Sequence, residues 1–241
     1  MKTLQTLALA TLCSIFVSCH TATDTNESAQ TEKVYNVAVI LDGTDRIQNS
    51  SAISQVSTAE LTDLAQKIAE NGTGSLFVSY VDCDCSNNHF ALFEINQLKP
   101  RAPEKKKEHV MQSNYDQQMH KYEDAIEAYN EKLTQALERF SCSCNKIVAA
   151  AYSNKVATER NGSDVKGALS KALRAIAAND KAETSHIILI SDCIHNAQNG
   201  KLEEVPDSVE LITVNTNDGG DLKGLITKQC LTFSQITNYI F

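Results

Sequence analysis

Long apolar runs alternate with amphipathic stretches along most of this chain. Residues 34–41 (VYNVAVIL), 186–190 (HIILI) and 209–214 (VELITV) are mostly apolar. Such runs suit strands buried on both faces. Residues 75–81 predict a second strand in chain order, and 90–95 alternate as a third. Helical spacing appears between them. Ser57-x-x-Glu60 has the form of a capping box, and behind it Leu61, Leu64, Ala65 and Ile68 make one stripe that ends at Asn71-Gly72. Ser163 or Asp164 caps a second stripe of Val165, Leu169, Leu173 and Ile176. Residues 222–228 predict a short helix, and 231–241 a final strand or packed tail. Strands alternating with helices predict an α/β fold with a doubly wound, mostly parallel sheet. The link between the second and third strands, Cys83-Asp84-Cys85-Ser86-Asn87-Asn88, is short enough for an antiparallel hairpin.

One segment exceeds that plan. Residues 104–140 lack Gly and Pro, and Met111, Tyr115, Met119, Tyr122, Ile126, Tyr129, Leu133, Leu137 and Phe140 recur every three or four positions. A helix over that span is about 55 Å long, at about 1.5 Å per residue. A sheet strand covers only about 17–20 Å. The helix must therefore project in part or fold into a helical hairpin, as an insertion over about 100–141. Lys105-Lys106-Lys107 suits a solvated start. Two uses fit the pattern: a lengthened helix lying on the sheet, or a coiled-coil-like arm for a partner helix.

The N-terminus changes the setting. Met1-Lys2 and the apolar stretch 7–17 read as a secretory signal, too short and too interrupted for a strong membrane span. Phe16-Val17-Ser18-Cys19 has the form of a bacterial lipobox, which makes 1–18 a lipoprotein signal peptide and Cys19 the lipidated residue. An ordinary signal peptide is the alternative, and bulky Leu12 makes Cys13 a poorer anchor. Residues 19–33 are polar and read as a flexible tether. The chain of 241 residues leaves 34–241 for one domain, on the outer side of a bacterial membrane in the cell envelope. The net charge is −8, and removing Lys2 makes the remainder one unit more negative. That balance argues against nucleic acid, which needs clustered Lys and Arg.

Three segments carry candidate chemistry: Asp42-Gly43-Thr44-Asp45-Arg46 after the first strand, Asn161-Gly162-Ser163-Asp164 before a helix, and Ser191-Asp192 after a later strand. Carboxylates and hydroxyls at the ends of buried strands sit where open α/β sheets bind ligands. This order resembles the von Willebrand factor A domain, over about residues 34–241 with 96–145 expanded. The resemblance implies a metal-ion-dependent adhesion site made of Asp42, Thr44, Ser163 and Asp192. It also implies a Mg²⁺ or Mn²⁺ ion with a vacant position for a partner protein's carboxylate. Arg46 departs from the pattern, since it stands where the family has a coordinating Ser. A guanidinium has no acceptor, so Arg46 would block the site by pairing with Asp42 or Asp192. Each residue also has a structural reading: Asp42-Gly43 as a turn, Ser163 as a helix cap, Asp192 as an acceptor for loop backbone. Phosphatases of the haloacid dehalogenase type are excluded, because Ile40 stands where their nucleophilic Asp must be.

Beyond Cys13 and Cys19, six cysteines remain: Cys83, Cys85, Cys142, Cys144, Cys193 and Cys230. An even count in an exported protein predicts disulfides. Cross-links between the Cys83-x-Cys85 and Cys142-x-Cys144 pairs are the leading expectation, stapling the base of the long helix to the sheet. Cys193 would meet Cys230 only if the C-terminal segment returns to the same end. A four-thiolate zinc site and a redox pair remain as alternatives, although the spacing suits neither well. His186 and His195 read as strand-edge and loop residues rather than ligands. The sequence thus points to a lipid-anchored adhesion or scaffold module that binds an unknown protein. The competing reading is a thiol-redox or metal-dependent envelope enzyme at the cysteine-rich end of the sheet.

Overall fold

The computed structural model describes residues 33–43, 55–85, 88–104, 110–152, 162–178, 182–197, 202–214 and 219–241. Six strands form one sheet: β1 (Val34–Leu41), β2 (Thr73–Tyr80), β3 (Ala91–Ile95), β4 (Ser185–Ile190), β5 (Val209–Val214) and β6 (Lys228–Cys230). Their order is β3-β2-β1-β4-β5-β6. All neighbours are parallel except β3, which runs antiparallel to β2 at one edge. This is the expected α/β, doubly wound sheet of Rossmann or A-domain type, with one antiparallel edge strand and a long helical insertion.

Burial on both faces explains the apolar strands. On one face Val37, Val39 and Leu41 meet α1 (Thr58–Asn71) and α2 (Gln112–Ala151). On the other, Ala38 and Ile40 meet α3 (Val165–Ala177). Helix α1 starts at the expected capping box: Ser57 Oγ accepts from Glu60 N–H, and the Glu60 carboxylate accepts from Ser57 N–H at 2.8 Å. Register then levels the strand ends. Leu41 pairs with Tyr80 on one side and Ile190 on the other, so the segments after β1, β2 and β4 leave from one edge.

The long helix is a single uninterrupted helix of 40 residues, about 60 Å, and not a hairpin. It starts later than expected and runs through 141–151, so Cys142 and Cys144 lie within it rather than after it. The reason is packing: Phe140, Cys144, Ile147 and Ala151 extend the buried stripe, and Ser-Cys-Ser-Cys contains no helix breaker. The basic stretch 105–107 lies outside the described residues.

The C-terminal elements also differ from expectation. The segment 222–228 is not a helix. A 3-10 turn, Gly220–Leu222, precedes β6, and Thr227 N–H donates to Leu211 O at 2.9 Å to begin that strand pairing. The tail is packed, as one of the two expectations had it, but as a helix and not a strand: α4 (Phe233–Ile240) is capped by Thr232 Oγ1, which accepts from Gln235 N–H. Its Phe233, Ile236 and Ile240 recur at helical spacing against the α1–α2 face, a signal too short to separate from a strand by periodicity. No described helix is long and apolar enough to cross a membrane.

Candidate functional site

Buried carboxylates line the edge where the parallel strands end. Asp42, Asp82, Ser163, Asp164 and Ser191 are all buried there, and Asp192 is half-buried. Backbone bonds continue the sheet by one residue: Asp42 N–H donates to Ile190 O, and Val81 N–H donates to Leu41 O, both at 2.9 Å. That fixes Asp42 against the next loop, and Ser191 Oγ donates to Asp42 Oδ2 at 2.6 Å. Ser191 Oγ in turn accepts from Cys193 N–H at 2.9 Å. The serine therefore couples the carboxylate after β1 to the turn after β4.

That turn is held tightly. Cys193 adopts a left-handed conformation with φ of 63°, uncommon for a residue with a side chain. Its carbonyl accepts from Asp221 N–H at 3.1 Å, and Asp221 Oδ2 accepts from His195 N–H at 2.7 Å. Ile194 N–H donates to Asp192 Oδ1 at 3.0 Å. The loop before α3 closes the other side. Ser163 O accepts from Asn196 N–H at 3.2 Å, and Ser163 N–H donates to Asn196 Oδ1. Asp164, not Ser163, is the helix cap: its Oδ1 accepts from Gly167 N–H at 2.8 Å and its Oδ2 from Cys85 N–H at 3.3 Å.

The structure brings Asp42, Ser163 and Asp192 to one edge, as their order in the sequence predicts. Thr44, Arg46 (the expected blocking cation) and Cys19 (the expected lipidation site) lie outside the described residues. Among the described residues no group of three His, Cys, Asp or Glu side chains could hold a metal ion. Asp192 Oδ1 is committed to backbone, and Asp42 Oδ2 to a hydroxyl. The described donors alone therefore do not make a divalent-cation site. Sequence reasoning passed over Ser191 as a partner, although it stands between a buried strand and a candidate ligand. It also passed over Asp82, whose Oδ1 accepts from Cys83 N–H at 2.6 Å and whose carbonyl accepts from Asp164 N–H at 2.8 Å. His195 is a loop residue as expected, with its Nδ1 3.8 Å from Asp164 Oδ1.

No disulfide joins the six described cysteines. The expected cross-linking does not suit the buried members. Cys85 packs with α3 on one face of the sheet, and Cys144 packs with α1 and β3 on the other. Cys193 and Cys230 are divided by the sheet in the same way. In each Cys-x-Cys pair one thiol is buried while the other, Cys83 or Cys142, is exposed, so the even count does not decide the pairing. Burial pushes the Cys85 thiol well above its ordinary value, with the Asp164 carboxylate adding to the effect. Burial pushes Cys144 up to about 12. Such thiols are poor nucleophiles, since the thiolate is the reactive form. Brief labelling of the native protein with iodoacetamide, followed by peptide mass mapping, should modify Cys83 and Cys142. Cys85, Cys144, Cys193 and Cys230 should react only after denaturation. Resistance of Cys83 and Cys142 until reduction would instead reveal disulfides.

The second candidate is the first part of α2. Its C-terminal half is anchored: Tyr129 and Phe140 are buried, and Tyr129 Oη donates to Ala69 O at 2.9 Å. The helix ends against the carboxylate edge, where a Cβ on Gly43 would overlap the Ala151 carbonyl. Ile126 is the first apolar residue of α2 that packs on the core. Before it run roughly 14 residues, about 21 Å of helix, with Tyr115, Met119 and Tyr122 half-buried and the polar residues between them exposed.

No family model matches this chain, and no curated protein matches it. Among solved structures it is similar to proximal thread matrix protein 1 from the mussel byssus, at 10% identity and a TM-score of 0.36. The match covers 87% of this chain and 46% of that one, so this chain spans less than half of the length of that protein.

Proposed function

We propose that this chain is an exported, lipid-anchored protein-binding module of A-domain type, an adhesion or scaffold element of a bacterial cell envelope. The anchor is Cys19, and residues 19–33 are the tether. The observation that carries the reading is the length of α2, 40 residues, of which Ile126 onward packs on the core. Its apolar stripe continues before Ile126 as the half-buried Tyr115, Met119 and Tyr122, and helix-in-groove or helix-on-helix recognition uses such a stripe. The edge at the other end of the same helix, where Asp192 is half-buried above buried Asp42 and Ser191, is a second candidate contact. The A-domain resemblance would put Mg²⁺ or Mn²⁺ there only with Thr44 among the donors, since the described ones alone do not make the site. A thiol-redox or metal-dependent enzyme has less support, because burial holds Cys85 and Cys144 protonated.

The test is capture of envelope proteins on the immobilised chain, with Mg²⁺ or with a chelator, beside the variant Met119→Ser/Tyr122→Ser. A partner held by the wild type and lost by the variant is the expected result. A partner that survives the variant but is lost with chelator would transfer the binding role to the carboxylate edge. Capture unaffected by either change would contradict the reading.

A further inference from the structure

We propose that His186, Glu210 and Tyr239 form an acid-sensitive latch: with His186 neutral it holds α4 on the sheet, and uptake of a proton by His186 releases that helix. The latch does not depend on the protein-binding reading. Strand alternation puts His186 on the same face of β4 as Ile188 and Ile190, which pack in one cluster with Phe233 and Ile236 of α4. Only 13% of the His186 side chain is exposed. Its neighbours in the sheet are Val37 on β1 and Glu210 on β5. Nε2 lies 3.4 Å from Glu210 Oε2, whereas Nδ1 is buried with no hydrogen-bond partner among the described residues. Tyr239 closes the cluster from the last turn of α4. Its hydroxyl donates to the Glu210 carboxylate, 3.0 and 3.2 Å from the two oxygens, and its ring stands edge-on to His186 with centroids 6.3 Å apart. Lys228 of β6 places Nζ over the Tyr239 ring, 3.1 Å from its centroid. On β1 the same face carries Tyr35, whose ring packs on Phe241.

The two ring nitrogens of His186 set the response. A neutral ring with its hydrogen on Nε2 donates toward Glu210 and leaves only a bare acceptor at Nδ1. A protonated ring carries N–H on both nitrogens, so a charged donor at Nδ1 would be buried without an acceptor. Burial therefore holds His186 below the ordinary value of 6.5, and the attraction of Glu210 for the cation opposes this without overcoming it. The Glu210 side chain is 31% exposed and already accepts from Tyr239, which weakens that attraction. Above about pH 6.5 the ring is neutral whether α4 is docked or released, and the latch is intact. Below it the released state takes up a proton that the docked state resists, so docking weakens by up to about tenfold per pH unit. Helix α4 is the element that gives way, because it has eight residues and so short a helix is marginal without its packing. Release uncovers Phe233 and Ile236 and the apolar surface beneath them.

Amide hydrogen exchange of 233–240 in the full chain, corrected for intrinsic exchange at each pH, reads the docking of α4. The window runs from about pH 7.5 to about pH 5.5, above the ordinary carboxylate range. Across it the protection of 233–240 should fall severalfold, to a limit of about tenfold, while that of 187–189 in β4 stays constant. His186→Gln should abolish the fall. The imidazole signals of the wild type, followed by NMR, give a measurement that needs no variant: His186 should titrate below its ordinary value. Constant protection of 233–240 would overturn the latch, as would a fall that persists in His186→Gln. A His186 midpoint at or above the ordinary value would overturn it too. An equal loss of protection at 187–189 would do the same, since it would mark acid unfolding of the whole domain.

Discussion

Phe140→Ala should destabilise the domain by about 3–5 kcal/mol, the usual cost of deleting a buried aromatic ring. Phe140 is only 1% exposed, and its ring meets the Phe93 ring edge-on with centroids 5.9 Å apart. Phe93 comes from β3, the outermost strand, which pairs with β2 alone. The substitution therefore removes both a core volume and the contact that holds α2 against the sheet edge. For a domain of this size the melting temperature should fall by roughly 6–20 °C, at about 2–4 °C per kcal/mol. Circular dichroism melts check this directly. A change of less than about 2 °C would mean that α2 does not dock through its C-terminal half. Tyr122, half-buried on the same stripe, gives the contrast: Tyr122→Ser should cost only about 1 kcal/mol, the centre of the range for point substitutions.

The sheet was legible because its strands are buried on both faces. Val34–Leu41 needs no alternation to be recognised, and the short link after β2 predicts the antiparallel edge strand on geometric grounds. Helix α1 was legible from its cap, where Ser57 and Glu60 satisfy each other's backbone. Short elements were not. Residues 228–230 are too few to signal a strand by themselves, and they pair with 212–214 at the open edge of β5. Likewise Phe233, Ile236 and Ile240 fit a helix or a packed extended tail until the sheet face beneath them is known.

The candidate site was legible in position but not in bonding. Asp42 and Asp192 follow buried strands, so topology alone puts them on one edge. Nothing in the sequence says that the Ser191 hydroxyl turns to Asp42, because that depends on the left-handed turn at Cys193. The cysteines illustrate the converse. Their even number suggests cross-links, yet Cys85 and Cys144 are buried on opposite faces of the sheet, which separates them. The long helix lies between these cases. Its periodicity was plain, but it ends later than expected because Cys144 and Ile147 continue the buried stripe past Phe140.

The account turns on a helix whose two halves have different supports. Amide hydrogen exchange along α2 in the full chain measures this most directly, since local opening reads the packing that each segment has. Amides from about Tyr129 to Ala151 should be protected by several orders of magnitude, held by Tyr129, Phe140, Cys144 and Ile147. Amides of 112–122 should exchange at least a hundredfold faster, because a short helix without tertiary packing is marginal in water. Uniform protection from Gln112 onward would contradict the account: the arm would already be covered in the free protein, and its seam would be structural rather than a surface kept for a partner.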